Sequence, residues 1–491
     1  MSSMALPTRV AWVLRISFLS VVLFSISFYV LEPHVHLRRY YESNRVPELN
    51  AKSAFVKGVV ESEIDGPFDA GTLRALCLSK EWMPGLIFKC EAPKGGVAVV
   101  RNVFLNCVRF AVEAGATSFI LPEMQAHSTT EDLTNPFSHY FDTAHFTSTL
   151  ESACPQITLI PHLHDLWDKP TVAKPITLKP FEMGSEVLVD NVISKPSQWA
   201  SFFHQYLNTT HPKPYSAEKP VLVSLLAPFL QWPLAYDDPH LVANFGKLLR
   251  YREDVRRLAG VVLHALDMKF NTGIEADKEG IRLGHFYGAH LRTELDAQAA
   301  GWTPYEIQSE NYLTHAQNSQ IKTIYLVSGN EEDAIRFRES AMEMGMQVAT
   351  RDELLSEEGY EMDMQEMEVL SWDQKECVDY EVLLRARAMG GSHESTFAWN
   401  VALRRHVVDG QGVWVPVVDL GVERRDVEDE GEGGEVNEDD QSPNEEGNAE
   451  GEEDTPNEAT SNTLQNSFQD SLSTIYGPGD EGMSIKVGMW P

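Results

Sequence analysis

Short apolar runs that stop at small or polar turns and give way to helical periodicity recur along this chain. Gly96–Val100 (GVAVV) reads as one such strand, and Arg101–Ala114 follows with helical spacing of Val103, Leu105, Val108, Phe110 and Val112. Thr117–Pro122 reads as the next strand, closed by its proline. Strand, helix, strand is the unit of a parallel sheet, because parallel neighbours need a crossover. The alternation continues through Ile157–Ile160 and Pro220–Leu226. It resumes at Phe286–His290, Ile324–Gly329 and Met346–Ala349, with helical patterns at Glu331–Gly345, Asp379–Met389 and Phe397–Leu403. Between the two series, Pro239–Leu266 is strongly helical and Asn271–Gly284 is polar loop. The expectation is an α/β protein with two compact regions, residues 72–238 and 285–422, joined by a helical segment and loop at 239–284.

At 491 residues the chain is long enough for two domains with tails. Its net charge of −33 is uneven: from Glu423 to Glu458 there are seventeen acidic residues against Arg424 and Arg425. The remainder is mildly acidic, which argues against nucleic acid as a partner of the core. Residues 423–491, rich in Gly, Glu, Asp, Asn, Pro and Ser, read as a disordered acidic tail. On that reading, removing everything beyond Glu423 leaves the fold intact. The five cysteines (Cys77, Cys90, Cys107, Cys154 and Cys377) cannot all pair within the chain, and no CxxC spacing suggests zinc. One or two disulfides fit an oxidising compartment, with connectivity open.

Ile16–Leu31 is uncharged and apolar, about 24 Å long as a helix, and Ala11–Leu14 extend it if Arg15 snorkels. No small-residue cleavage site follows, so residues 11–31 read as an uncleaved signal anchor, with a cleaved signal peptide as the alternative. Residues 1–10 would then be a cytosolic tail and 32–71 a polar stem. The folded part would lie in the lumen of the Golgi or ER as a single-pass type II protein. Asn208-Thr209-Thr210 is a glycosylation sequon, usable if that side is luminal.

The chemistry concentrates in Phe286–Asp296, where an apolar run ends in an imidazole, a guanidinium and two carboxylates. His290 and Arg292, two apart, share one face of an extended chain. Beyond a strand's carboxyl end, a guanidinium fork suits a diphosphate. The competing reading is a surface ion pair of Arg292 with Glu294 or Asp296. Two more turns suit phosphate: Lys94-Gly95-Gly96, and Gly390–Thr396 with its glycines and hydroxyls.

These segments, taken in order, resemble the GDP-fucose protein O-fucosyltransferase superfamily, especially its plant-type and fungal branches. Cys90–Gly96 with Arg101 and Cys107 is similar to the family's double-glycine turn and following helix. Leu121-Pro122-Glu123 and Phe141–Phe146 match its Leu-Pro-Glu and Phe-Asp-x-x-x-Phe segments. His290, Leu291, Arg292, Glu294 and Asp296 match its His-Leu-Arg-x-Glu-x-Asp hallmark in full, and Ser392–Ala402 resembles its late Ser/Thr turn and helix.

The resemblance implies a GT-B architecture, two Rossmann-like domains facing across a cleft. It implies inverting transfer of fucose from GDP-fucose to a protein or glycan hydroxyl, with no obligatory metal. Arg292 is then the leaving-group cation. Gly95, Gly96, Arg101, Asn102, His290, Arg292, Ser392, Ser395, Thr396 and Phe397 bind the donor, and Glu294, Asp296 or Glu123 is the candidate base. One departure stands out: Val97-Ala98-Val99 occupy the place of the family's Asn-Gln, with Arg101-Asn102 as possible substitutes. That departure opens two alternatives, a non-catalytic luminal binding relative and a transferase for another nucleotide sugar.

Overall fold

The computed structural model describes residues 50–491 except 126–133, 185, 187, 189–190, 212–214, 276–279, 281–284, 409–411, 414–422, 424–465 and 479–482. The first half contains β1 (Met83–Cys90), β2 (Ala116–Ile120), the ribbon β3 (Met124–Gln125) and β4 (Thr134–Asn135), β5 (Thr158–Ile160), β6 (Ile176–Leu178) and β7 (Val221–Leu225). Five of these form a parallel sheet in the order β5-β2-β1-β7-β6. The second half contains β8 (Phe286–His290), β9 (Thr323–Val327), β10 (Gln347–Ala349), β11 (Ala388–Ser392), β12 (Asn466–Gln469) and β13 (Ser473–Tyr476). They form a sheet in the order β10-β9-β8-β11-β13-β12, parallel except for the β12–β13 pair.

Both sheets grow outward from a central strand and then reverse. In the second, the chain runs β8, β9, β10 to one side and sets β11 on the other side of β8. The order therefore switches between β8 and β11, the position where open α/β sheets bind ligands.

Several local expectations are corrected. GVAVV is the first turn of the Val97–Glu113 helix, with extended Gly96 at its N-cap. The central slot is already filled by β1, so the chain leaving it needs a crossover helix, and burial overrides the β-branched preference. Asp379–Met389 is not one helix: Trp372–Leu384 is helical and β11 starts at Ala388. Pro239–Leu266 breaks after the short turn Gly246–Leu248 and restarts as Glu253–Phe270, with Tyr251 of the break bridging to Phe141.

The Val97–Glu113 helix is buried all round, with Val99 alone among its 17 residues partly open. Such a helix is core, and each of its polar groups needs a partner. Arg109 donates to Asp237 Oδ1 and Oδ2 at 2.7 and 2.8 Å and to Glu113 at 2.8 Å, over the Trp232 ring. Asn106 Oδ1 accepts the Trp232 N–H at 2.9 Å. Disulfides Cys77–Cys154 and Cys90–Cys107 brace this half, the second tying β1 to the helix, and Cys377 is a buried thiol.

The stem expected at 32–71 is folded from residue 50 onward. Residues 50–61 are helical, and Val56 and Val59 press on Gly260 of the Glu253–Phe270 helix. Arg385 donates to the Val59 and Ser62 carbonyls, and Arg404 pairs with Glu63 and Asp65. The expected disordered tail is also corrected for residues 466–478 and 483–491. β13 extends the second sheet, and Phe468, Ile475, Ile485, Val487, Met489 and Trp490 are buried. The acidic run between lies outside the described residues, as does the apolar segment at 11–31. Among the described residues no helix is long and apolar enough to cross a membrane.

Candidate active site

Three adjacent strands, β9, β8 and β11, end together, and His290, Arg292, Ser392 and Ser395 lie at or just beyond their ends. His290 closes β8. Its Nδ1 lies 3.3 Å from Ser395 Oγ, and its ring tilts against Phe397 with centroids 4.7 Å apart. Burial, with the Arg292 charge beside it, pushes the imidazole down to about 3, so it is neutral at physiological pH.

Arg292 follows on the loop. Its Nη1 donates to Glu294 and its Nη2 to Asp296 Oδ2 at 2.6 Å, with Trp302 5.6 Å below the guanidinium. Burial alone would lower its pKa, but the two carboxylates outweigh that and hold it raised. Asp296 is correspondingly held low, first by the hydrogen bond from Arg292. Glu294 Oε1 also accepts the Gly329 N–H at 2.7 Å, beyond the end of β9. In this geometry Glu294 and Asp296 are the struts of the guanidinium.

The backbone here is clamped as well. Gln308 Oε1 accepts the Arg292 N–H at 3.1 Å, while its Nε2 donates to Arg292 O at 2.9 Å and Thr303 O at 2.6 Å. Tyr312 Oη donates to His290 O at 3.2 Å.

On the β11 side, Gly390, Gly391 and Ser392 belong to the strand, and His393–Ser395 make the turn. A side chain on Gly390 would collide with Tyr287 and one on Gly391 with Ala398, so these glycines serve packing. Ser395 Oγ accepts the Ala398 N–H at 3.2 Å, capping the Thr396–Val408 helix whose first residue, Thr396, is half-buried. Ser392 Oγ and Thr293 Oγ1 are buried with no hydrogen-bond partner among the described residues.

The remaining candidates divide. Gly95, at φ +132°, and Gly96 form the turn into the Val97–Glu113 helix. Arg101 and Asn102 are not at this site. Arg101 Nη1 donates to Trp490 O at 3.0 Å, and its Nη2 to Gly246 O at 3.0 Å and Pro491 O at 2.6 Å. Asn102 Oδ1 accepts the Trp490 N–H at 2.7 Å. Both side chains are buried and hold residues 490–491. Glu123 is exposed and accepts from Thr134 at 3.2 Å. Asn208 is exposed on the last turn of the Pro196–Thr210 helix.

Sequence reasoning did not single out Trp302, Gln308 or Glu376. Glu376, on the Trp372–Leu384 helix, reaches the glycine turn: its Oε2 is 3.5 Å from Val97 N. Burial, with Asp373 close by, pushes its carboxyl up to about 8.

The model of the GDP-fucose protein O-fucosyltransferase family matches residues 86–408, from β1 through the Thr396–Val408 helix. The match covers well over half of the chain, which belongs to that family. Among solved structures it is similar to POFUT1 in complex with GDP, at 16% identity and a TM-score of 0.38 over 66% of this chain and 96% of that one. POFUT1 in complex with GDP-fucose matches at 14% and 0.38, over 67% and 95%. A mutant of Arabidopsis thaliana FUT1 in complex with GDP matches at 12% and 0.34, over 69% and 73%. No curated protein matches the sequence significantly.

Proposed function

We propose that this protein transfers fucose from GDP-fucose to a hydroxyl of a protein or glycan acceptor, with inversion at the sugar carbon. Family membership supports the donor class, and POFUT1, a structural neighbour, is described with GDP and with GDP-fucose bound. The observation that carries the reading is Arg292, a cation braced by two carboxylates at the strand-order switch of the second sheet.

Breaking the sugar–phosphate bond builds charge on the leaving diphosphate. A guanidinium already held in place stabilises that charge without reorganising. Neutral His290 acts as a hydrogen-bonding group toward phosphate or ribose rather than as an acid. The Ser392 and Thr293 hydroxyls, still lacking partners, suit phosphate oxygens, and Ser395 and Thr396 open the adjoining helix. On this reading the halves at 72–238 and 285–422 are the two Rossmann-like parts of a GT-B enzyme that needs no metal. The protein is held in a secretory membrane by residues 11–31, and the two disulfides support an oxidising lumen.

One observation favours a second reading, a luminal relative that binds a GDP-sugar without turnover. Val97 and Ala98 are buried in the helix, and the polar residues that follow, Arg101 and Asn102, are committed to Trp490 and Pro491. Calorimetry with GDP followed by GDP-fucose hydrolysis separates the two. Binding with turnover supports the transferase, binding alone supports the relative, and a preference for another nucleotide sugar in a thermal-shift screen overturns the fucose assignment.

A further inference from the structure

The first glycine turn lacks the family's amide side chain, but it does not lack a polar group. Glu376 comes from the other half of the molecule, 279 residues away in sequence, and faces the turn. Its Oε1 lies 3.2 Å from where a Cβ on Gly96 would stand, and its Oε2 makes a long contact with the Val97 N–H. A carboxyl group therefore sits where the two halves meet, within reach of the Arg292 charge. Of the carboxylates that the sequence offers as bases, Glu294 and Asp296 hold Arg292, and Glu123 is exposed.

We propose that Glu376 is the proton acceptor of the transfer, a role that rests on the GDP-fucose reading. The acceptor's O–H bond breaks and its proton passes to a Glu376 carboxylate oxygen. The acceptor oxygen bonds to the anomeric carbon, and the bond from that carbon to the β-phosphate oxygen breaks. The electron pair leaves with GDP beside Arg292. Glu376 then releases its proton to solvent.

The groups acting on Glu376 give it a fitting basicity. Burial raises its pKa most, Asp373 and Asp379 of the same helix raise it further, and the Val97 N–H and Arg292 lower it. Tyr140, bonded to Asp373, and His139, 3.2 Å from Ser371, face this helix from the opposite loop, and Cys377 lies beside it. A base poised near neutral pH is ionised in part and still basic enough to take a hydroxyl proton.

GDP-fucose hydrolysis by the full chain, with water as acceptor, provides the test. Wild-type kcat/KM is expected to rise about tenfold per pH unit up to about pH 8. Glu376→Gln is expected to lower kcat about 100-fold and flatten that limb, while calorimetry shows GDP affinity unchanged. Glu376→Asp is expected to keep a pH-dependent limb, but with kcat lowered and the limb moved from its wild-type position, because the shortened carboxylate sits in altered surroundings; it carries the test if the Gln variant does not fold. A Glu376→Gln protein, or failing that a Glu376→Asp protein, with wild-type rate and pH profile overturns this role alone. A wild type that neither binds GDP nor hydrolyses GDP-fucose overturns the donor reading and this role together.

Discussion

Arg292 and His290 are two residues apart and are handled in opposite ways. The guanidinium charge is braced by Glu294 and Asp296, whereas the imidazole is kept neutral by burial beside that charge. Arg292→Ala is expected to abolish GDP-fucose turnover, a loss of at least ~2–3 kcal/mol of transition-state stabilisation. Arg292→Lys is expected to recover little, because an ammonium cannot engage both carboxylates as a planar fork does. Steady-state hydrolysis kinetics check both.

His290 makes a prediction about stability. Its pKa lies near 6.5 in the unfolded chain and at about 3 in the fold. As pH falls below 6.5 the unfolded chain takes up a proton that the fold refuses. The stability is therefore whole above pH 6.5 and is lost as pH falls toward 3, by up to about 1.4 kcal/mol per pH unit. Thermal melts of His290→Gln against wild type are expected to converge as pH drops from 6.5 to 4; parallel curves would contradict the depressed imidazole.

Among the elements, β11 shows how packing and site are joined. Gly391 lies against Ala398 of the following helix, and that close approach sets the turn at His393–Ser395 that brings Ser395 to His290. Gly391→Ala is expected to destabilise by about 1–3 kcal/mol through overpacking. Adding Ala398→Gly is expected to restore part of the loss, read as a rise in urea midpoint.

The same strands explain what sequence could reveal. β2, β5, β7, β8 and β9 were legible because each is an apolar run bounded by turn residues. β1 was not, because Pro84, Gly85 and Lys89 interrupt its pattern. His290, Arg292 and Ser395 stood out as reactive groups at the ends of apolar runs. Glu376 could not stand out, since it is one of several acids along a helix and its significance comes from a partner in the other half. What Arg101 and Asn102 engage is hidden from the sequence for the same physical reason: their partners in residues 490–491 lie 388–390 residues away.

For the whole molecule, residues 466–478 and 483–491 are the largest revision. Their apolar residues are diluted by the acidic stretch before them, so composition alone suggests an unfolded tail. In the fold they supply two strands, and Trp490 is buried against Phe245 with centroids 4.4 Å apart. Trp490→Ala is expected to cost about 3–5 kcal/mol. Removing residues 483–491 is expected to cost more, because Arg101 would remain buried without two of its acceptors. Deleting everything beyond Glu423 is thus no longer expected to be silent; circular dichroism melts of the shortened chain check this.

The reach between Arg101 and Trp490 also has a consequence for biosynthesis. The helix bearing Arg101 is made early, yet the tryptophan that completes its surroundings follows 389 residues later. At about 5–20 residues per second, translation leaves that arginine waiting roughly 20–80 s. Once Phe245 has been made, the nascent chain lacks the residue that pairs with both it and Arg101. A chain ended between Phe245 and Trp490 is expected to leave that arginine without two of its carbonyl acceptors.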